Sequence, residues 1–183
     1  VYTMAIQIIT ADTSHSATIS SIGKKSFREA FGNLFNNKIE LAEYLEFTYD
    51  PVKLTRSLRK DGNIYLLAYW EDRAVGFAKI KKFSLNPQIE SISQMELQKI
   101  YVLPEYQGIG IGQALMDEIL KLSCKVSPDY IWLDTHISNE KAIRFYEKNG
   151  FIKCEKYFFT IGAQVFEYHV MIHPVAVEEA CDC

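Results

Sequence analysis

A glycine-rich turn at residues 107–113 is the part of the sequence with the clearest chemical potential. Gly108, Gly110 and Gly112 alternate with other residues just before a predicted helix. Glycine has no Cβ atom, so the backbone can approach a bulky ligand closely there. The first N–H groups of a helix have no acceptor inside the helix, and together with the helix dipole they attract an anion. The sequence therefore predicts a site for a pyrophosphate group.

Two common phosphate-binding motifs do not match this turn. A P-loop requires GxxxxGK[ST], and no Lys-Ser or Lys-Thr pair follows these glycines. A dinucleotide-binding Rossmann turn requires GxGxxG, whereas the spacing here is GxGxG. The segment from Pro104 to Gln107 also makes the connection longer than the tight Rossmann form. Nucleotide binding of the Rossmann type is therefore disfavoured.

The spacing Gln107-x-x-Gly110-x-Gly112 resembles the pyrophosphate motif Q/R-x-x-G-x-G/A of the GCN5-related N-acetyltransferases (GNAT). A block before it, Ile100-Tyr-Val-x-Pro104, is similar to the central strand of that family. A block after it, Asn139-x-x-Ala-x-x-Phe-Tyr-x-x-x-Gly-Phe151, is similar to the family's second conserved block. The resemblance implies an N-acetyltransferase that uses acetyl-CoA as its co-substrate.

The resemblance also implies where acetyl-CoA binds. Its place would be between two splayed strands that start at Gln94 and Tyr130, with the backbone of Ile100 and Val102 bonding the pantetheine arm as an added strand would. Asn139 would contact the same arm. The implied cofactor-binding residues are Ile100, Tyr101, Val102, Gln107, Gly108, Ile109, Gly110, Ile111, Gly112, Gln113, Asn139 and Tyr146. No metal is expected, because the four cysteines form no CxxC pair and no Cys/His cluster with zinc spacing.

Glu96 is the predicted general base. Acetyl transfer to an amine needs a group, or a water chain, that removes the ammonium proton. Period-two geometry places Glu96 on one strand face with Gln98, Ile100 and Val102. Glu96 also occupies the place of the catalytic glutamate in related histone acetyltransferases. The alternative is a solvated carboxylate that only contacts the substrate, while water carries the proton.

Tyr146 is the predicted acid. A phenol with an ordinary pKa of about 10 can give a proton to a departing thiolate, and the resemblance places the Tyr of the Phe-Tyr pair in this role. The alternative is a tyrosine that only packs against its helix. A strand N–H near Ile100 to Val102 is expected to polarise the carbonyl. Because no Ser-His-Asp or Cys-His grouping is evident, we expect direct attack within a ternary complex.

The acceptor is predicted to be a primary amine. The segments Ser26-Phe-Arg-Glu-Ala-Phe31 and Tyr44-Leu-Glu46, with others along the chain, resemble the PaiA-type spermidine/spermine N-acetyltransferases. That resemblance implies a polyamine acceptor and the substrate-binding residues Glu29, Tyr44 and Glu96. Further carboxylates on the predicted helices that would suit a polycation, or would form only a solvated acidic face, are Glu40, Glu43, Glu46 and Asp50.

Two other functions stay open at this point. The stretch Asp134-Thr135-His136 departs from the PaiA-type pattern, so a protein N-terminus, a lysine side chain or another small amine is an alternative acceptor. A CoA-binding regulatory module without catalysis is a further alternative. The presence of both Glu96 and Tyr146 argues against such a module.

The elements that position these residues follow the order β-ααα-ββ-β-α-β-α-ββ. The strand at 94–102 precedes the glycine turn, a helix at 110–125 follows it, and a strand at 130–134 leads to a helix at 139–149. This order predicts an α/β fold, and the resemblance implies a single GNAT-like domain with a mixed, mostly antiparallel sheet, flanking helices and splayed central strands. The domain is predicted to span residues 1–173, and residues 174–183, which hold Cys181 and Cys183, to form a disordered tail.

Composition narrows the class of protein. A chain of 183 residues with 48% hydrophobic content is enough for one domain with a full core. The net charge of −3 argues against a nucleic-acid partner, which would need a basic patch. No apolar run reaches the ~20 residues of a membrane helix, and the start has no signal-peptide layout. We therefore expect a cytoplasmic protein. The resemblance implies an enzyme whose partner is a small-molecule amine, and a monomer and a homodimer both stay open.

Overall fold

A computed structural model describes residues 6–175 of the chain. Its helices and strands follow the predicted order, and their bounds lie within a few residues of the predicted ones. In chain order they are β1 (Ile6–Thr10), α1 (Ser16–Phe31), α2 (Lys38–Thr48), α3 (Pro51–Leu58), β2 (Asn63–Trp70), β3 (Arg73–Lys81), β4 (Gln94–Val102), α4 (Ile111–Val126), β5 (Tyr130–His136), α5 (Glu140–Lys148), β6 (Ile152–Ile161) and β7 (Gln164–Pro174).

The strands form one seven-stranded sheet in the order β1-β2-β3-β4-β5-β7-β6. β4 and β5 are parallel, whereas β1 with β2, β5 with β7 and β6 with β7 are antiparallel. The sheet is therefore mixed, as predicted. The predicted α/β fold class with its flanking helices is confirmed.

The end of the predicted domain lies at the last strand. β7 runs through Pro174, and the backbone N–H of Val175 donates to the carbonyl of Asp129 at 2.9 Å. Residues 176–183, with Cys181 and Cys183, lie outside the described residues. The disorder of that tail and the domain bounds stay predictions.

The chain divides into two compact units, and it passes from one to the other within β3, β4 and α4. The first unit contains the described residues up to Lys79 together with Lys99–Glu118. Two of its helices, α2 and α3, begin at side-chain caps: Asn37 accepts the N–H of Ile39 at 2.9 Å, and Asp50 accepts that of Val52 at 2.7 Å. The core of this unit is apolar and includes Ile19, Leu45, Tyr49 and Leu67, all 0% exposed.

The second unit contains Ile80–Gln98 and the chain from Ile119 onwards. The loop between β3 and β4 is tied down by the buried amide of Gln94, whose Nε2 donates to the carbonyls of Asn86, Ile89 and Ser91 at 3.3, 3.2 and 2.6 Å. Ile89 then packs with Trp132 and Val170 in a buried cluster. This loop is thus an ordered part of the second unit.

Pairing between β4 and β5 is short. It covers three residue pairs and ends at Glu96 opposite Trp132, although both strands continue. Leu97 and Gln98 on β4 therefore have no partner on β5 within the described part of the second unit. This early end of the pairing is the separation expected for the central strands.

The two faces of β5 carry different groups. Side chains alternate along a strand, and directly paired residues share a face. Glu96 pairs with Trp132, so it lies on the same face as Trp132, Asp134 and His136, which we call the Trp132 face. His173 pairs with Ile131 on the other face, and the Phe151 ring contacts His173 at 5.2 Å between centroids. The end of α5 therefore lies on the opposite face.

Candidate active site

The glycine turn of the first unit has the backbone geometry that a ligand-facing turn requires. After the single 3₁₀ turn Pro104–Tyr106, Gly108 and Gly110 adopt φ angles of 82° and 96°. Residues other than glycine rarely adopt such φ angles. Helix α4 begins at Ile111, and its first backbone bond runs from the Ala114 N–H to the Gly110 carbonyl at 2.9 Å. The turn is exposed, so its N–H groups lie at the surface of the unit.

Gln107 and Gln113, the polar residues that flank the turn, bond to the protein itself. The Nε2 of Gln107 donates to the Val102 carbonyl at 3.1 Å, which ties the turn back to the end of β4. The Nε2 of Gln113 donates to Asp117 Oδ1 at 2.8 Å, one turn along α4. Both contacts fix the side chains rather than the backbone, so the turn's N–H groups keep the direction set by the glycines.

Close backbone packing supports the end of β4. A Cβ atom added to Gly76 on β3 would lie 2.7 Å from the Tyr101 carbonyl oxygen and 3.3 Å from Val102 Cγ2. Real Cβ atoms essentially never come that close to a backbone atom, so Gly76 is needed here for space. Ile100, Tyr101 and Val102 are half-buried. The first unit thus brings these residues together with the turn at 107–113.

Charged pairs surround the approach to the turn. Lys25 Nζ lies 2.6 Å from Glu105 Oε1, and Arg73 Nη1 donates to the Tyr106 hydroxyl at 3.0 Å. The hydrogen bond from Lys25 lowers the pKa of the exposed Glu105 carboxyl. The cationic side chains of this region are therefore held by the residues that lead directly into the turn.

Glu96 is a buried, paired carboxylate in the second unit. It is 7% exposed, and its Oε2 accepts the Ser84 hydroxyl at 2.6 Å and lies 3.2 Å from Lys81 Nζ. The Ser84 carbonyl in turn accepts the Trp132 Nε1–H at 2.8 Å. A buried carboxylate is stabilised by such charge-assisted bonds. Glu96 therefore has a fixed orientation on the Trp132 face.

Tyr146 is a buried tyrosine on α5, in the second unit. It is 8% exposed, and its ring contacts those of Phe145 and Phe151 at 5.6 and 5.9 Å between centroids. Burial raises the pKa of the Tyr146 hydroxyl far above its usual range, and the negative charge of Asp134 raises it further. The phenol therefore stays neutral in the physiological pH range and can donate a hydrogen bond.

Asn139 caps α5. Its Oδ1 accepts the Ala142 N–H at 3.2 Å, and its own N–H donates to the His136 carbonyl at 2.9 Å. Capping leaves the amide Nδ2 as the group that can donate to a ligand. His136 itself is 9% exposed, its Nδ1 lies 2.7 Å from Ser138 Oγ, and burial lowers its pKa. His136 is therefore neutral at pH 7.

Some of the predicted acceptor residues of the first unit contact other protein groups. Glu29 is exposed on α1, whereas the Tyr44 ring packs on Phe27 at 5.0 Å between centroids. Glu46 is paired with Lys24 at 2.7 Å, and Asp50 caps α3. Glu46 and Asp50 thus have structural roles, which the sequence pattern alone did not reveal.

The family profile of the acetyltransferase (GNAT) family matches residues 26–151, which include the glycine turn, Glu96 and Tyr146. The chain belongs to the acetyltransferase (GNAT) family. The enzyme is an N-acetyltransferase, and acetyl-CoA is its co-substrate.

Several known proteins are similar to this GNAT chain. An uncharacterized N-acetyltransferase of Mycobacterium tuberculosis (strain H37Rv) is 28% identical over 144 residues, which cover 79% of this chain and 81% of that protein. N-alpha-acetyltransferase 50 of Danio rerio is 30% identical over 129 residues, covering 68% and 74%. The crystal structure of the PaiA N-acetyltransferase of Thermoplasma acidophilum in complex with coenzyme A superposes with a TM-score of 0.76, at 21% identity, over 93% of this chain and 99% of that one.

Sequence reasoning missed two residues that contact Glu96, the predicted base. Lys81 and Ser84 hold Glu96, yet they lie 15 and 12 positions before it in the chain. No local motif marks them, because the contact depends on how β3 and its loop fold back.

Within residues 6–175, no group of three or more His, Cys, Asp or Glu side chains is arranged to hold a metal ion, and no helix is long and apolar enough to cross a membrane.

Proposed function

We propose that this GNAT enzyme acetylates a primary amine of a polyamine, spermidine or spermine, by direct attack within a ternary complex. The observation that carries the proposal is the fold-level likeness to a PaiA N-acetyltransferase over nearly the whole chain. It agrees with the sequence resemblance to PaiA-type enzymes. The negative net charge of −3 also suits a cationic acceptor.

The donor is held by its pyrophosphate and its pantetheine arm. The backbone N–H groups from Gly108 to Gln113 bind the pyrophosphate, aided by the dipole of α4. Exposed backbone groups of Ile100 and Val102 bond the arm in the manner of an added strand. The Nδ2 of Asn139 donates to the arm, because its Oδ1 is engaged in the cap.

Glu96 removes the ammonium proton, directly or through one water. Ser84 and Lys81 both contact Oε2, so we assign the proton to Oε1. The Lys81 ammonium beside it repels a second cation. A nitrogen that arrives at Glu96 is therefore favoured in its neutral, nucleophilic form. A strand N–H near Ile100 to Val102 polarises the acetyl carbonyl as the bond from nitrogen to carbon forms.

Tyr146 stabilises the leaving thiolate as the bond from carbon to sulfur breaks. The raised pKa of this phenol lies above the ordinary value of a thiol, about 8.5, so complete transfer of the proton to sulfur is uphill. Tyr146 thus acts chiefly as a hydrogen-bond donor, and solvent completes the protonation. A charge-assisted hydrogen bond of this kind contributes about 1.5–3 kcal/mol.

A protein N-terminus is the second candidate acceptor. The observation that favours it is the 30% identity to N-alpha-acetyltransferase 50 of Danio rerio. Such an enzyme would acetylate a peptide amine and show no preference for a polyamine.

Free CoA thiol release from acetyl-CoA tests both acceptors. The panel is spermine, spermidine, putrescine, a lysine peptide and an N-terminal peptide. We expect release with spermine or spermidine, and its loss in the variants E96Q and Y146F. E155Q and Y157F, which change exposed residues of β6, are the matched controls and should retain activity. Release with the N-terminal peptide alone would replace the polyamine by that acceptor, and binding of acetyl-CoA without any turnover would reject the catalytic proposal.

A further inference from the structure

Ser84, in the loop between β3 and β4, is held in place through its backbone. Its carbonyl accepts the Trp132 Nε1–H at 2.8 Å, and its N–H donates to the Gln94 carbonyl at 3.3 Å. Trp132 is 9% exposed and packs with Ile89 and Val170 in the buried cluster of the second unit. The backbone of Ser84 therefore gives its hydroxyl a fixed place beside the end of strand pairing.

Ser84 and Lys81 together determine how the Glu96 carboxylate is oriented. The Ser84 hydroxyl donates to Oε2 at 2.6 Å, and Lys81 Nζ lies 3.2 Å from the same oxygen. The terminal torsion of a glutamate side chain is broad, so a carboxylate without such contacts can rotate. A hydrogen bond to a charged group is short and strong enough to fix it. With Oε2 engaged from two elements, Oε1 is kept in one direction.

Lys81 adds a charge to this orientation. Burial disfavours the charged form of a carboxyl group, whereas a nearby ammonium favours it. The carboxylate is the form that can take a proton from the acceptor, so a cation beside it serves a buried base. The side chain of Lys81 is 33% exposed, and water therefore screens part of its effect.

We propose that Ser84 and Lys81 are positioning residues for acetyl transfer, which hold Glu96 so that its Oε1 faces the acceptor amine. This inference rests on the proposed function, because both residues act through Glu96 as the proton acceptor. Neither residue takes the proton or binds acetyl-CoA. Their loss therefore slows the step that Glu96 assists and leaves the binding of acetyl-CoA intact.

The test measures CoA thiol release with the amine of the panel that has the highest kcat/KM, for which we expect spermidine. For S84A we expect kcat/KM for the amine to fall about 10- to 100-fold, the loss typical of a hydrogen bond to a charged group. For K81M we expect a smaller loss, about threefold to tenfold, because the ion pair is partly exposed. S84T and K81R keep the hydroxyl and the charge and should restore activity to within about threefold of wild type. The KM for acetyl-CoA should not move in any of these variants.

A double-mutant cycle with E96Q separates positioning from a general structural role. Residues that act through one group are not additive with its removal. We therefore expect S84A/E96Q and K81M/E96Q to match E96Q alone within about twofold. Losses that add to that of E96Q would show that Ser84 and Lys81 act independently of Glu96 and would overturn the inference.

S91A is the matched control for S84A. Ser91 lies in the same loop, and its hydroxyl donates to Asp129 Oδ2 at 2.6 Å, the same length as the bond to Glu96. K125M, which changes an exposed lysine at the end of α4, is the control for K81M. Both controls should retain wild-type kcat/KM.

Two results would contradict the inference in different ways. Equal losses in S84A and S91A would overturn the positioning role while the proposed function stands. A wild-type kcat/KM in E96Q would remove Glu96 as the proton acceptor, and the inference would fall together with that part of the proposed function.

Discussion

Buried polar side chains set the chemistry at the scale of single residues. Glu96 accepts the Ser84 hydroxyl and lies beside Lys81, whereas the phenol of Tyr146 is buried among aromatic rings and stays protonated in the physiological pH range. A carboxylate and a neutral phenol are the kinds of group that the proposed roles of proton acceptor and hydrogen-bond donor require.

The raised pKa of Tyr146 predicts a dependence of stability on alkaline pH. Because this pKa is higher in the folded chain than its ordinary value of about 10, the folded state keeps a proton that the unfolded state loses. The stabilisation is complete below pH 10 and is lost as the pH rises above it. We expect the free energy of unfolding of wild type to fall more steeply above pH 10 than that of Y146F, by up to about 1.4 kcal/mol per pH unit.

Urea unfolding at pH 8 and at several values above pH 10 measures this difference. Y157F, which changes an exposed tyrosine of β6, is the control and should follow wild type. Equal slopes for wild type and Y146F would mean that Tyr146 is not shielded from water as described.

At the scale of elements, local sequence carried most of the prediction. β4 was predicted at 94–102 and is found there, because Pro104 ends the strand and alternating residues define it. α4 begins at Ile111 rather than at residue 110, because Gly110 adopts a positive φ and stays in the turn. Contacts between side chains of different elements could not be predicted from the sequence. Nothing around Glu96 in the sequence points to Lys81, since that pairing depends on the register of separate strands.

The glycine turn gives a prediction for ligand binding. G108A should weaken binding of CoA by about tenfold, because a side chain at φ 82° costs about 1–2 kcal/mol and moves the N–H groups that follow. Space is not the cause, because an added Cβ would meet nothing within 4 Å. Calorimetric titration of CoA into each variant measures the effect.

G62A is the matched control for that experiment. An added Cβ at Gly62 would also meet nothing within 4 Å, and its φ lies outside the positive region. CoA should bind G62A as tightly as wild type. Equal affinity of G108A and G62A would show that the conformation of the turn does not contribute to the binding of CoA.

At the scale of the whole molecule, the proposed mechanism determines the order in which the two substrates bind and react. His136 is neutral and hydrogen-bonded within its own loop, and the proposed mechanism uses no enzyme nucleophile. Both substrates must then be bound at once. We expect intersecting lines when initial rates are measured over a grid of acetyl-CoA and spermidine concentrations.

A covalent acetyl-enzyme would give a different kinetic pattern. Parallel lines, or a burst of CoA thiol released before any amine is added, indicate a ping-pong reaction. Heat-inactivated enzyme serves as the blank for thiol release. Either result would exclude direct attack by the amine on acetyl-CoA.

The exposure of β6 has a consequence for how the protein behaves at high concentration. This strand is at the end of the sheet, and its first nine residues are exposed, including Phe158 at 61%. Within residues 6–175 no other strand pairs with its outer side. Such an edge invites strands of other molecules, and charged side chains are the usual defence. Lys153, Glu155 and Lys156 are exposed charges on this strand, and we expect their removal to promote edge-to-edge aggregation.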